Sequence, residues 1–280
     1  MLDLYLAILL TFLFSSLLAT LSLLLARHLS RPIATITVIF FLSLLFLYAF
    51  KLHDDLRLAR LLPFSSVMVL GNPAPELVAL IVGFAWRIVP GPKLRRALIL
   101  MPLVGACLYN AYSPVFVDTP VLGNRWDFGL CRQTSKESCS PAAAATLLHA
   151  HNIPASEQEM ASLCLTSSRG TTMLGLYRSL KLKTQNTPWT VEIFHGTLSE
   201  MRGLGGPILI TVGIKKDQPE SAHYREEWGL PPGMKHTVVL LDFPGTQAHI
   251  ADPAAGHEQW SLPDLQRLWY GQGLRLIPRK

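Results

Sequence analysis

The stretch Gln133-Thr134-Ser135-Lys136-Glu137-Ser138-Cys139-Ser140-Pro141, followed by the apolar run Ala142–Leu148, decides how the rest of the chain is read. A polar loop ends in a cysteine and a helix begins there. Free backbone N–H groups and the positive end of the helix macrodipole favour thiolate over thiol at such a position. Ser138 is suited to the N-cap. Pro141 is suited to the first turn, where its missing N–H costs nothing. By itself a cysteine before an apolar helix is more often an inert buried thiol, so its chemistry depends on what the remaining residues bring to it.

Outward from this stretch the 280 residues divide in two. Half of the chain is hydrophobic and only 16% is charged, and the apolar excess lies almost wholly before residue 117. Of the formal charge of +6, +5 falls in residues 1–116, where nine Lys and Arg stand against Asp3, Asp54, Asp55 and Glu76. Residues 117–280 are close to neutral, which argues against nucleic acid as a partner. The expected organisation is a membrane region over 1–116 and a soluble domain over 117–280.

Four hydrophobic segments are expected in the membrane region: 2–26, 33–50, 64–89 and 97–117. The first begins at Asp3 without a basic cluster and is too long for a signal-peptide core, so it reads as an uncleaved anchor. The third is broken by Asn72-Pro73-Ala74-Pro75-Glu76. Pro75 and Glu76 suit the start of a helix to about Ile88, which either crosses as a broken helix or is re-entrant. Glu76 is either a functional group at membrane depth or a helix-start residue near the headgroups. With four crossings, Arg27, Arg31, Arg87, Lys93, Arg95 and Arg96 share one side, against Lys51, Arg57 and Arg60 on the other. The excess of basic residues then puts the first side in the cytoplasm and the soluble domain outside. The expected location is a multi-pass protein of the bacterial inner membrane with an extracytoplasmic domain, and the bilayer is its first partner.

The soluble part opens with an irregular lead over 118–128. After the cysteine helix, Ser156 and Glu159 read as a capping box for a helix to about Leu165, and a further helix covers Met173–Leu180. Strands are expected at Thr190–Phe194, Ile208–Val212, His236–Asp242, His249–Ala251 and Leu274–Ile277, with helices at Leu198–Gly203 and Pro263–Tyr270. Gly213–Lys235 is a long polar loop of the kind that is often functional. Helices first and antiparallel strands after make an α+β domain.

Cysteine-nucleophile chemistry needs a thiolate, an imidazole base, a group to orient the imidazole and a donor to the oxyanion. Cys139 is the nucleophile candidate. Gln133 can turn its amide back toward an oxyanion beside Cys139. His236 opens a buried strand. Asp252 ends the next one, so a hairpin would bring it to His236, where it would hold the imidazole tautomer that accepts the thiol proton. Each is commonplace alone; their order and placement make the set. No metal is expected, because no C-x-x-C pair occurs and His257-Glu258 meets Ser261 where H-E-x-x-H needs its second His. No cofactor is expected either, since no G-x-x-x-x-G-K-[ST] occurs and Gly203-Leu204-Gly205-Gly206 lacks the residues that hold phosphate.

The domain from about Cys131 to Arg279 resembles the bacteriocin-processing, or double-glycine leader, peptidases, which are papain-like and best known fused to peptide-exporting ABC transporters. The resemblance rests on Gln133 with five residues before Cys139, then Pro141-Ala142-Ala143, and Arg169-Gly170-Thr171-Thr172 before Leu174-Gly175-Leu176. It continues through Gly206-Pro207-Ile208, His236 with Val238-Val239, Asp252-Pro253 with Gly256, and Leu265, Leu268-Trp269 and Gly271. It implies a papain-like fold with Cys139 as nucleophile, His236 as base, Asp252 as its orienter and Gln133 as oxyanion donor. It also implies a peptide substrate, possible at a double-glycine-type site, and a separate exporter, since the chain shows no ATPase motif. Two features depart from that picture: the absent ATPase, and Ser140 where the family usually has Gly, a β-carbon that could crowd the oxyanion site. Three functions therefore stand side by side. One is a membrane-anchored cysteine peptidase, the second an inactive domain that binds leader peptides for an exporter, and the third a small carrier around Asn72 and Glu76 regulated by the domain. Cys131 and Cys164 are either a disulfide bracing the oxyanion loop or two buried thiols. Cys107 is a small apolar residue of the membrane region.

Overall fold

The computed structural model describes residues 1–116, 118–216 and 231–279. The chain forms two compact units, Met1–Val117 and Asp118–Lys280.

The first unit is helical. Helices α1 (Leu2–His28), α2 (Arg31–Leu47, extended by a π turn to Leu52), α3 (Arg57–Leu61), α4 (Val67–Leu70), α5 (Ala74–Ile88) and α6 (Lys93–Tyr112) follow in order. Four stretches are long and apolar enough to cross a membrane: Leu2–His28, Arg31–Leu52, Val67–Ile88 and Lys93–Tyr112. The third is interrupted at Gly71-Asn72-Pro73, where the Asn72 side chain accepts from Ala74 N–H at 3.0 Å and starts α5. This stretch is the hub of the unit, with 50% of its window buried inside against 11% for α1 and for α2. Gly83 permits the closest approach, since a Cβ there would lie 1.7 Å from Ser22 Oγ on α1. Glu76 stands in the first turn of α5 with Oε2 buried and without a hydrogen-bond partner.

The second unit wraps a six-stranded antiparallel sheet around one buried helix. Its elements are β1 (Arg125–Asp127), β2 (Leu130–Arg132), α7 (Cys139–His149), α8 (Glu157–Cys164), α9 (Met173–Lys183), β3 (Trp189–His195) and α10 (Leu198–Leu204). Then come β4 (Ile208–Val212), β5 (His236–Asp242), β6 (Gln247–Asp252), β7 (Gly256–Ser261), α11 (Leu262–Leu268) and β8 (Trp269–Pro278). The sheet order is β3-β8-β4-β5-β6-β7. The fold is thus an apolar helical region followed by an α+β domain, as expected.

The interior explains the sequence pattern. α7 is buried almost to the last residue, and its run of four alanines keeps the helix thin enough to lie on the sheet. β4 and the first five residues of β5 are buried on both faces, which is why they read as continuous apolar runs rather than alternating ones. One sheet face carries Ile208, Ile210, Val212, Val238, Leu240 and Ile250, packed with Trp260, Leu265, Leu268 and Trp269. Thr211 and Thr237 alternate with these and meet the helices, Thr211 Oγ1 at Met173 and Thr237 Oγ1 at Ser140.

Several expectations need correction. The lead is not wholly irregular, because Arg125–Asp127 pairs with Leu130–Arg132 as a hairpin turning at Phe128-Gly129, both at positive φ. β7 forms where the sequence predicts no strand: only one apolar side chain of Gly256–Ser261, Trp260, is buried, so the run lacks a strand signature. β8 extends the expected last strand in both directions. The Ser156 capping box is half formed. Ser156 Oγ accepts from Glu159 N–H, but the Glu159 carboxylate takes Lys183 Nζ at 2.8 Å. The complete box lies at Thr197 and Glu200. Most of the Gly213–Lys235 loop, 217–230, lies outside the described residues, as does Val117; the described ends of the loop meet where Gly233 N–H donates to Ile214 O at 2.7 Å.

Candidate active site

Cys139 opens α7 at the end of the loop 133–138, and three sets of hydrogen bonds hold that loop. Gln133 N–H donates to Pro253 O at 3.0 Å. The wholly buried Glu157 accepts from Thr134 N–H and from Thr134 Oγ1, both at 2.7 Å. Ser138 Oγ accepts from Ser135 N–H and donates to Ser135 O. Ser138 does occupy the N-cap, but its hydroxyl ties the loop to itself and makes no capping bond to the helix. The N–H groups at the start of α7 are therefore not all spent on a cap.

β5 delivers His236 and the β5–β6 pairing delivers Asp252. His236 Nε2 lies 2.9 Å from Asp252 Oδ1, with both residues buried. The same oxygen accepts from Ala254 N–H at 2.7 Å and from Ala255 N–H at 3.2 Å. The Asp-Pro turn that makes Asp252 look commonplace in sequence is what fixes its carboxylate. Its next carbonyl, Pro253 O, is also the anchor of Gln133, so orienter and oxyanion loop share one turn. With Nε2 taken by Asp252, Nδ1 is the imidazole nitrogen left for Cys139, which lines the same cleft.

The charges follow. Burial pushes the Cys139 thiol up, but the His236 hydrogen bond and charge, then the Thr237 N–H and Ser140, pull it down further, to below the ordinary thiol value. Burial pushes His236 down, and Asp252 and Cys139 raise it well above 6.5. Burial raises Asp252, and His236 with the Ala254 and Ala255 N–H groups brings it below its ordinary value. Thiolate, imidazolium and carboxylate stabilise one another in a row. The other two thiols of this unit behave in the opposite way. Burial pushes Cys131 and Cys164 each up to about 12. Both are free, so the disulfide alternative gives way to the buried-thiol one, and Cys164 Sγ donates to Ser179 Oγ at 3.1 Å.

All four expected site residues line one cleft of about 390 Å³, with Lys136, Met234, Glu258 and Trp260 among its other walls. Gln133 Nε2 donates to Ser135 O at 3.0 Å. That acceptor fits only the amide nitrogen, which has a second N–H to give, and Gln133 Oε1 is buried without a hydrogen-bond partner. Ser140 does not turn toward the cleft to crowd it. Its hydroxyl lies 2.8 Å from Thr237 Oγ1. Two contributors were missed in the sequence. Glu157 lies between Ser156 and Glu159 with no signal of its own, although its buried carboxylate is what holds Thr134. Thr237 looked like an ordinary strand residue. Neither has a local signal, because each acts through a partner distant in the chain. Among the described residues no group of three or more His, Cys, Asp or Glu could hold a metal ion.

Comparison with known proteins agrees with the class of domain that this fold and cleft define. Residues 127–201 match the model of the Peptidase C39 family. The matched part contains Gln133 and Cys139 and ends before His236 and Asp252. Solved structures similar to the chain include the peptidase domain of Streptococcus ComA, a bi-functional ABC transporter involved in a quorum sensing pathway. It is 20% identical with a TM-score of 0.43, over 55% of this chain and 100% of that one. A double glycine motif protease from an AMS/PCAT transporter, in complex with the leader peptide, is 18% identical with a TM-score of 0.41, over 57% and 93%. A C39-like peptidase from Bacillus anthracis is 14% identical with a TM-score of 0.43, over 57% and 100%. No curated protein matches the chain. The Peptidase C39 match bears out the resemblance to the bacteriocin-processing peptidases, and no ATPase domain is evident among the described residues.

Proposed function

We propose that the protein is a membrane-anchored cysteine peptidase in which Cys139, His236, Asp252 and Gln133 carry the reaction. One observation supports this above the others: Cys139, Gln133 and the His236–Asp252 pair, hydrogen-bonded at 2.9 Å, line one cleft, and of the three thiols in the second unit Cys139 alone is pulled below its ordinary value, by His236, the Thr237 N–H and Ser140. The Cys139 thiolate attacks the scissile carbonyl carbon. The oxyanion takes N–H donors from the start of α7 and from the Gln133 amide. The His236 imidazolium gives its proton to the leaving amine as the C–N bond breaks, leaving a thioester on Cys139. Neutral His236 then takes a proton from water as the water attacks the thioester, and thiolate and imidazolium are restored. Asp252 holds the ring throughout. The hydroxyl of Ser140, bonded to Thr237 rather than facing the cleft, favours catalysis over the inactive, peptide-binding alternative.

The substrate class is a peptide cut at a double-glycine-type site, delivered to or from a separate exporter in the same bilayer. The domain then faces outward from a bacterial inner membrane, with Arg27, Arg31 and the 87–96 cluster in the cytoplasm. Comparison of peptide N-termini in cells carrying the native protein and its Cys139→Ala form tests the reaction. The native cells should contain N-termini that the variant cells lack. With the purified protein, an acyl-mimicking electrophile should label native, Cys131→Ala and Cys164→Ala chains but not Cys139→Ala, and labelling that survives Cys139→Ala refutes the assignment. Protease added to intact spheroplasts should remove the domain; its full protection there would reverse the topology.

A further inference from the structure

Helix α7 packs on β5, and the residues at 142–145 are alanines, which carry no polar group to hold the two elements in register. One polar contact between side chains stands out: it joins Ser140, the residue after the nucleophile, to Thr237, the residue after the base, at 2.8 Å between hydroxyl oxygens. Both residues are buried, at 5% and 4% exposure. Ser140 Oγ also lies 4.0 Å from Cys139 Sγ.

We infer that Ser140 and Thr237 form a positioning pair that fixes the register of α7 on β5, and so holds Cys139 Sγ against His236. The inference rests on the reading of Cys139 and His236 as nucleophile and base. Each hydroxyl has one proton to give. When Thr237 donates to Ser140, the Ser140 proton is free to turn toward the sulfur and solvate the thiolate in a place where water has little access. The pair therefore acts twice, by aligning the two elements and by supplying a second-hand donor to the charge on sulfur. A serine after the nucleophile is accommodated because the threonine after the base is there to receive it.

The test uses the full-length protein in detergent and follows alkylation of Cys139 by iodoacetamide against pH, read by mass spectrometry of the peptide that carries Cys139. Native protein should show its onset well below that of an ordinary thiol. Ser140→Ala and Thr237→Val should each move the onset up by about half a unit to one unit, the equivalent of one ordinary hydrogen bond. The double variant should move it no further than Ser140→Ala does, since that change already removes both the pair and the donor to sulfur. Thr237→Ser keeps the hydroxyl and should stay at the native onset, which separates this role from mere packing. If native Cys139 has a low onset that Ser140→Ala leaves in place, the pair does no positioning and the inference fails while the nucleophile assignment stands. Additive shifts in the double variant also overturn the pair. A native onset at the ordinary thiol value removes the proposed function itself.

Discussion

Replacing Asp252 by Asn removes one charge and little else. Asp252 Oδ1 accepts from His236 Nε2, Ala254 N–H and Ala255 N–H. The two turn N–H groups keep whatever oxygen stands there pointing inward, so an Asn would still present Oδ1 to the ring and leave the tautomer unchanged. The loss is that of a charge-assisted hydrogen bond replaced by a neutral one, a difference of about 1–2 kcal/mol, which corresponds to about one pH unit on the imidazole. The sign is definite. Asp252 is a cause of the elevation of His236, so the variant lowers the pH at which His236 gives up its proton. The Cys139 onset should hardly move, because the imidazolium is present both before and after the thiol ionises.

The assay is a titration of the His236 ring by NMR on selectively labelled protein, run beside Cys139 alkylation. The expected result is a His236 midpoint about one unit lower in Asp252→Asn, with the alkylation onset in place. Stability supplies a second readout. His236 sits above its unfolded value of 6.5, so its contribution is complete below 6.5 and fades as pH rises through the folded value. Asp252 sits below 3.8, so its contribution is complete above 3.8 and fades as pH falls through the folded value. The Tm gap between native and variant should therefore be widest between these limits and close on either side. A His236 midpoint that stays in place, or rises, refutes the triad as an electrostatic unit.

Gln133→Ala should lower kcat on a cleaved peptide by about a hundredfold with KM little changed, as expected when an oxyanion donor is lost; a change confined to KM would make Gln133 a binding residue. Glu157→Ala strips Thr134 of both its acceptors. It should lower stability by about 1–3 kcal/mol in thermal unfolding and slow Cys139 alkylation at neutral pH, whereas Glu157→Gln should recover part of both.

The parts legible in the sequence were those whose cause is local. β4 and β5 were visible as unbroken β-branched and Leu runs because both of their faces are buried, and α7 because alanines follow a proline in the first turn. His236 and Asp252 were legible at one remove, since a strand, a turn and a returning strand bring their positions side by side whatever the rest of the chain does. What stayed hidden depends on contacts between residues far apart. Ser156 and Glu159 have the spacing of a capping box, yet Glu159 is drawn off by Lys183, which comes from α9 and is invisible to local spacing. β7 is an edge strand in which Trp260 is the one large apolar residue, so it has no apolar period to betray it.

Ser140 shows the same distinction at the centre of the site. Taken with its neighbours alone, a β-carbon after the nucleophile is an obstruction to the oxyanion. Its effect depends on which way the hydroxyl turns, and that is decided by a strand almost a hundred residues later in the chain. A buried hydroxyl without a partner costs about 1–3 kcal/mol, so Ser140 is compatible with a buried first turn only where β5 brings an acceptor or donor to it. Thr237 meets that need, and it does so from the residue next to His236. The departure from the family pattern is thereby tied to β5 and stays out of the lining of the cleft. That lining, which includes Cys139 and Gln133, is left to the chemistry.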